Sequence, residues 1–279
     1  MGTRTIDQPQ TLALEPVSRV RIRTFRGSVS VVGTDGEPRL EVAELSGGPL
    51  TMRHEDGALE LGYGDWQRPN LLSWLLHRRR WRRRAVLSLA VPRDCRVDAQ
   101  VVASGVVVSG LRAPVTVKVV SGDITLAGLS GTVVAETVSG AVEAQGTASD
   151  LQMRTVSGDL TLVEAAGGTV RAQTTSGTVT ADLQPAGDDD IHLATVSGDV
   201  VIRVPAGSGL RVRLEAVSGQ VSSMFPELTA TGMPGLRAVE GRLGDGSGRL
   251  RARTTSGHVT LLRQGEQPAA PDGGDEAAS

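Results

Sequence analysis

Thr155-Val156-Ser157-Gly158-Asp159-Leu160-Thr161-Leu162 is the stretch whose reading decides the fold. Its first four residues recur as Val119-Val120-Ser121-Gly122, Thr137-Val138-Ser139-Gly140, Thr174-Thr175-Ser176-Gly177, Thr195-Val196-Ser197-Gly198, Ala216-Val217-Ser218-Gly219 and Thr254-Thr255-Ser256-Gly257. The serines stand 18, 18, 19, 21 and 21 residues apart, with a last gap of 38. A period near 20 marks a repeat architecture, in which one supersecondary unit stacks on the next.

Within each unit apolar residues occur six and four places before the serine, as at Leu151 and Met153 or Ile191 and Leu193. They occur again three and five places after it, as at Leu160 and Leu162 or Val200 and Ile202; Ser223 breaks the second of these positions. Both halves alternate with period two, the mark of half-buried strands. Ser-Gly between them reads as a corner, because glycine accepts the positive φ of a sharp change of direction. The corner glycines are Gly122, Gly140, Gly158, Gly177, Gly198, Gly219 and Gly257. Each unit is strand, corner, strand, loop.

A meander of hairpins and a solenoid both fit this unit. The solenoid is favoured, since the corner is constant while the distal loop varies; a hairpin register would be fixed by its turns. Successive coils then lie ~4.8 Å apart and like residues form columns. The expectation is an all-β, elongated, β-helix-like solenoid of 18- to 21-residue repeats with a short basic helical insertion. Composition agrees: 39% hydrophobic residues, 35 glycines, and only two Phe, one Tyr and three Trp suit a thin core of aliphatic columns. Arg26-Gly27 falls on the template with Arg for Ser, and Ser104-Gly105 reads as a degenerate corner. The 38-residue gap reads as a hairpin-like excursion covering the open C-terminal edge.

The recurring phrase resembles the bacterial β-strand-repeat family labelled as adhesins, also called the toastrack domain. Val217 to Pro226, followed by a Gly-rich turn and Thr254 to Leu261, is similar to the family's C-terminal signature. The resemblance covers roughly residues 15 to 263. It implies a β-helix-like fold, a link to envelope-stress or membrane-associated systems, and no established catalytic residues. One toastrack-like domain is expected over 1–264, most regular over 112–263, with a disordered acidic tail over 265–279.

Residues 66–84 stand apart. They hold all three tryptophans, and 77–84 reads His-Arg-Arg-Arg-Trp-Arg-Arg-Arg. Without these six arginines the remaining 23 basic against 31 acidic residues give −8, so a net charge of −2 hides an acidic body with one cationic patch. Read as a helix over 71–84, Leu71, Trp74, Leu75 and Trp81 share a face beside Arg78, Arg79, Arg80, Arg82, Arg83 and Arg84. Such a basic amphipathic element suits an anionic membrane surface, at roughly 1 kcal/mol per basic residue. The bland alternative is that it packs on the solenoid. A nucleic-acid or acidic protein partner is the third reading, but the acidic remainder argues against nucleic acid.

No grouping of residues in the sequence has the pattern of a catalytic or metal centre. Asp123, Asp159 and Asp199 follow the corner on alternate coils, hence ~9.6 Å apart. That spacing leaves room for an inverting glycosidase, yet no aromatic platform accompanies them. Solvating a turn is the simpler role. Asp188-Asp189-Asp190 lacks the spacing of a calcium loop and reads as a solvated acidic loop. His54, His77, His192 and His258 are scattered, and Cys95 is the single cysteine, so no metal, cofactor or disulfide framework is expected. The N-terminus has no apolar leader. Cytoplasmic residence, peripheral to the inner membrane, is the expectation. The expected function is a non-enzymatic scaffold or binding module with protein partners, self-associating through its coil ends. The alternative is a carbohydrate-binding or carbohydrate-active β-helix protein.

Overall fold

The computed structural model describes residues 2–63, 83–233 and 235–265. These residues form 24 strands of one continuous sheet, with no helix among them. The alternation read from the repeats is the alternation observed. In the strand Val115–Ser121, Val115, Val117 and Val119 are buried, while Lys118, Val120 and Ser121 face out. Across the corner, Ile124 and Leu126 of Ile124–Ala127 turn inward.

Coils stack in parallel, as a solenoid and not a meander. Val133 pairs with Val115 and with Leu151, and Val142 pairs with Ile124 and Leu160. The corner serines are bridged in one column, Ser121 to Ser139, Ser139 to Ser157, Ser157 to Ser176 and Ser176 to Ser197. Inside, Val, Leu, Ile and Ala fill narrow columns such as Val133, Leu151, Val170 and Ile191. On the third side, Ser130 N–H donates to Leu111 O and Ala148 N–H to Leu129 O, so the connecting turns stack as well.

At the C-terminal end spatial order departs from chain order. The strand Gly248–Ser256 lies between Asp190–Ser197 and Leu210–Ser218, parallel to both. Likewise Val259–Arg263 lies between Val200–Val204 and Val221–Ser223. The seventh repeat is therefore inserted between the fifth and the sixth. The excursion that permits this includes the hairpin Leu228–Met233 and Leu236–Leu243, whose second strand pairs antiparallel with Leu210–Ser218. That hairpin covers the end of the parallel stack.

The N-terminal end is built alike. Arg19–Thr34 runs parallel to Ala58–Gly62 and Arg84–Pro92 on one side and to Arg96–Ser109 on the other. Antiparallel strands Arg39–Ser46 and Leu50–Glu55 close the outer side. Paired edges leave fewer free backbone groups to recruit another chain. One register differs from expectation: Ala103-Ser104, not Ser104-Gly105, stands in line with Ser121-Gly122. Here the strand Arg96–Ser109 runs through the corner without a break, so no glycine is needed at that level.

The expected helix over 71–84 falls mostly outside the described residues. At its end, Arg84 instead opens the strand Arg84–Pro92. Of the expected tail over 265–279, only Gly265 is among the described residues.

Candidate functional site: the corner edge and its cationic end

Each residue of the repeated phrase has a separate task. The threonine two places before the serine is buried, at 3–6% exposure for Thr137, Thr155, Thr174, Thr195 and Thr254. Thr174, Thr195 and Thr254 donate Oγ1–H to the carbonyls of Gly158, Gly177 and Gly198, at 3.1, 3.0 and 2.9 Å. Each thus ties its coil to the corner of the one below. Thr155 Oγ1 is buried with no hydrogen-bond partner. The glycines adopt φ between +137° and +153°. A Cβ at Gly158, Gly177, Gly198 or Gly257 would stand 2.1 Å from the carbonyl oxygen of the glycine beneath. Positive φ and the close coil-to-coil approach both demand glycine here.

The three aspartates after the corner are committed to structure. Asp123, Asp159 and Asp199 accept from the backbone N–H of Ala141, Thr178 and His258, at 2.9, 2.7 and 2.7 Å. Each carboxylate clamps the next coil's corner. Asp189 is buried, not solvated as its loop suggested, because it accepts from Ala186 N–H at 2.8 Å. Asp190 pairs with Arg171 at 3.5 Å. Among the described residues no cluster of His, Cys, Asp and Glu could hold a metal ion.

One place before the serine column runs a ridge of exposed valines. Val120, Val138, Val156, Val196 and Val217 keep 41–53% of their surface in water, and Thr175 and Thr255 complete the row. Beside it lies a shallow groove of about 640 Å³, floored by the buried threonines and walled by Glu136, Arg154, Gln173 and Arg253. At the N-terminal end the same row is covered, by Val102 and Phe25 at 7% and 5% exposure.

The residues that flank the basic segment stand at this edge: Gly62 pairs with Arg23 and Arg84 with Arg26, two positions that the neighbouring coil joins through Thr24 and Phe25. Arg83 places its guanidinium 4.9 Å from the Tyr63 ring centre and 5.9 Å from that of Phe25. Burial pushes the Tyr63 phenol up, partly offset by Arg83. Arg84 Nε donates to Glu44 at 3.1 Å. These two arginines belong to the fabric of the body. Trp74, Arg78, Arg79, Arg80, Trp81, Arg82 and His77 lie outside the described residues.

The remaining candidates are dispersed. His258 Nδ1 accepts from Gln220 N–H at 3.1 Å, and His54 sits on an end strand. His192 lies among arginines on the face of the last coils, a grouping invisible in the sequence because Arg251 is brought there by the out-of-order coil. Cys95 is fully buried and its thiol is pushed up to about 11 by desolvation.

A stack of parallel coils closed by antiparallel end strands, with its polar groups spent on holding coil to coil, defines an elongated β-solenoid scaffold. The family model Toastrack DUF4097 matches residues 113–262, and the chain belongs to that family. Among curated proteins none matches the sequence. Similar solved structures include a proposed adhesin from Bacteroides fragilis, at 12% identity over 93% of this chain and 97% of its own, TM-score 0.38. A proposed cell adhesion protein from Clostridium sporogenes aligns at 11% identity over 94% and 100%, TM-score 0.29. A proposed lipid-binding protein from Parabacteroides distasonis aligns at 10% identity over 92% and 97%, TM-score 0.30.

Proposed function

We propose that this chain is a non-enzymatic binding scaffold that docks peripherally on an anionic membrane surface, at the inner face of the membrane, through its Trp/Arg segment. One juxtaposition carries the reading. Gly62 and Arg84, the paired residues that flank the Trp/Arg stretch of the sequence, stand on the same edge as the exposed valine ridge, and the coil pairing holds on either side of them. Among the described residues no helix is long and apolar enough to cross a membrane. Attachment by surface binding relies on apolar burial added to lipid-headgroup attraction. Protein partners of an envelope-response system, the role the family resemblance implies, would use the exposed ladder faces.

Co-sedimentation with vesicles of phosphatidylglycerol and phosphatidylcholine tests this. Arg78, Arg79, Arg80 and Arg82 are changed together to Gln, leaving Arg83 and Arg84 to their structural contacts. Binding at low salt that falls at least tenfold supports the reading, and unchanged binding sinks it. The carbohydrate-active alternative draws nothing from Asp123, Asp159 and Asp199, whose Oδ1 atoms are each engaged by a backbone amide.

A further inference from the structure

The out-of-order coil builds a surface that neither neighbour would build alone. Gly248–Ser256 presents Arg249, Arg251 and Arg253 outward, alternating with buried Leu250 and Ala252. Register sets Arg251 beside His192 on one side and Arg213 on the other. Arg249 falls beside Arg211 and Asp190, and Arg253 beside Ala194 and Glu215. Like charges directly opposite on neighbouring strands destabilise a sheet. On the middle coils of this face opposite charges meet instead: Lys118 meets Glu136 on the next coil at 2.7 Å, and Arg171 meets Asp190.

The nearby acids do not neutralise the excess. Glu215 accepts from Arg213 at 2.6 Å, and Asp190 is shared with Arg171. Among the described residues Arg251 and Arg253 enter no ion pair. They flank a depression of about 350 Å³ lined by His192, Arg213, Glu215, Arg251, Ala252 and Arg253. His192 reports the local field, being held below its ordinary value by burial and then by Arg253, Arg171 and Arg251, against Asp190.

We propose that this depression is an oxyanion site for a phosphate-bearing ligand, gripped by Arg251 and Arg253 with Arg213 and His192 at its rim. Two guanidinium groups without a carboxylate partner match the charge of one phosphate monoester or pyrophosphate end. Guanidinium geometry favours such planar, paired contact with oxyanions. The site lies eight rungs, ~38 Å at sheet spacing, from Arg84, which flanks the Trp/Arg segment. The phosphate could be soluble or a lipid headgroup, and the test separates these.

Calorimetric titration of the full chain with pyrophosphate at low salt is expected to show one saturable site. R251Q/R253Q should weaken it by roughly tenfold or more per guanidinium removed. The variant loses no native ion pair, so it should fold with an unchanged or higher Tm. Pyrophosphate should raise the Tm of the original chain and not of the variant. In parallel, phosphatidylglycerol vesicles at low salt are offered to the chain with and without R251Q/R253Q, each in the Arg78/Arg79/Arg80/Arg82 to Gln background, so that the other proposed lipid contact does not enter. Loss of pyrophosphate binding with vesicle binding intact assigns a soluble phosphate, and loss of both assigns a headgroup. The Arg78/Arg79/Arg80/Arg82 to Gln variant must retain pyrophosphate binding, so the two readings fail independently. No saturable pyrophosphate binding, or equal binding by R251Q/R253Q, overturns the proposal whatever the vesicles do.

Discussion

Gly257 rests directly on Gly198: a Cβ at 257 would stand 2.1 Å from the Gly198 carbonyl oxygen, although the two residues belong to the seventh and the fifth repeat of the sequence. The same contact recurs where one Ser-Gly corner stands on another, and it sets the closest approach of one coil to the next. Gly257→Ala meets backbone, which cannot step aside as a side chain could, and it also meets φ of +144°. A loss of about 3 kcal/mol or more is expected, from clash and backbone strain together. Gly128→Ala is the control, with φ of +59° but nothing within 4 Å of the added carbon, and should cost about 1 kcal/mol. Urea unfolding of both variants measures the difference. Equal losses would mean that coil approach does not govern the corner.

The buried threonines divide by partner. Thr195→Val removes the bond to the Gly177 carbonyl and should cost about 1 kcal/mol. Thr155→Val removes a hydroxyl that is buried without a partner, so it should be neutral or slightly stabilising. Thermal melts of the two variants should move in different directions, and a matched loss would place an unseen partner on Thr155.

The strands, the corner and the parallel stack were legible because they repeat: buried positions recur around Ser157 as around Ser121, and only a stacked coil needs the same corner each time. Coil order was not legible. Nothing local distinguishes Gly248–Ser256 from the coils it separates, since Leu250 and Ala252 fill the same inward positions as Ile191 and Leu193. The decision to thread between them is made by the hairpin Leu228–Met233 and Leu236–Leu243, which occupies the outer edge of Leu210–Ser218 instead. For the same reason the Arg251–His192–Arg213 row could not be seen, although each residue could be placed on an outward face. Gly105 is a misleading marker of the degenerate corner, which lies one residue earlier at Ala103-Ser104, because Arg96–Ser109 passes that level as continuous strand. Asp199 was read as solvating a turn because its amide partner belongs to His258, far along the chain.

Cys95 offers a clean probe of the N-terminal half of the stack. Its thiol is fully buried and pushed up to about 11, so at neutral pH it is both inaccessible and protonated. A thiol reagent such as dithionitrobenzoate should react only as fast as this part of the solenoid opens, and at once in denaturant. Reaction in the native protein at the rate of a free thiol would show that the coil around Cys95 opens locally, independent of the rest.

His192 gives the last coils an acid sensitivity of known sign. Burial, followed by Arg253, Arg171 and Arg251, holds its folded pKa below the ordinary 6.5. The unfolded chain therefore takes up the proton first as pH falls. The stabilisation is fully present above 6.5 and is lost progressively as pH drops from there through the lower folded value. Stability of the native chain should decline over that window more steeply than that of His192→Gln, in urea midpoints measured at matched ionic strength. A bound phosphate reverses part of this loss, because an anion beside Arg251 and Arg253 cancels the field that disfavours the imidazolium. With saturating pyrophosphate the two pH profiles should therefore draw together. If they stay as far apart as without it, the anion does not sit within reach of His192.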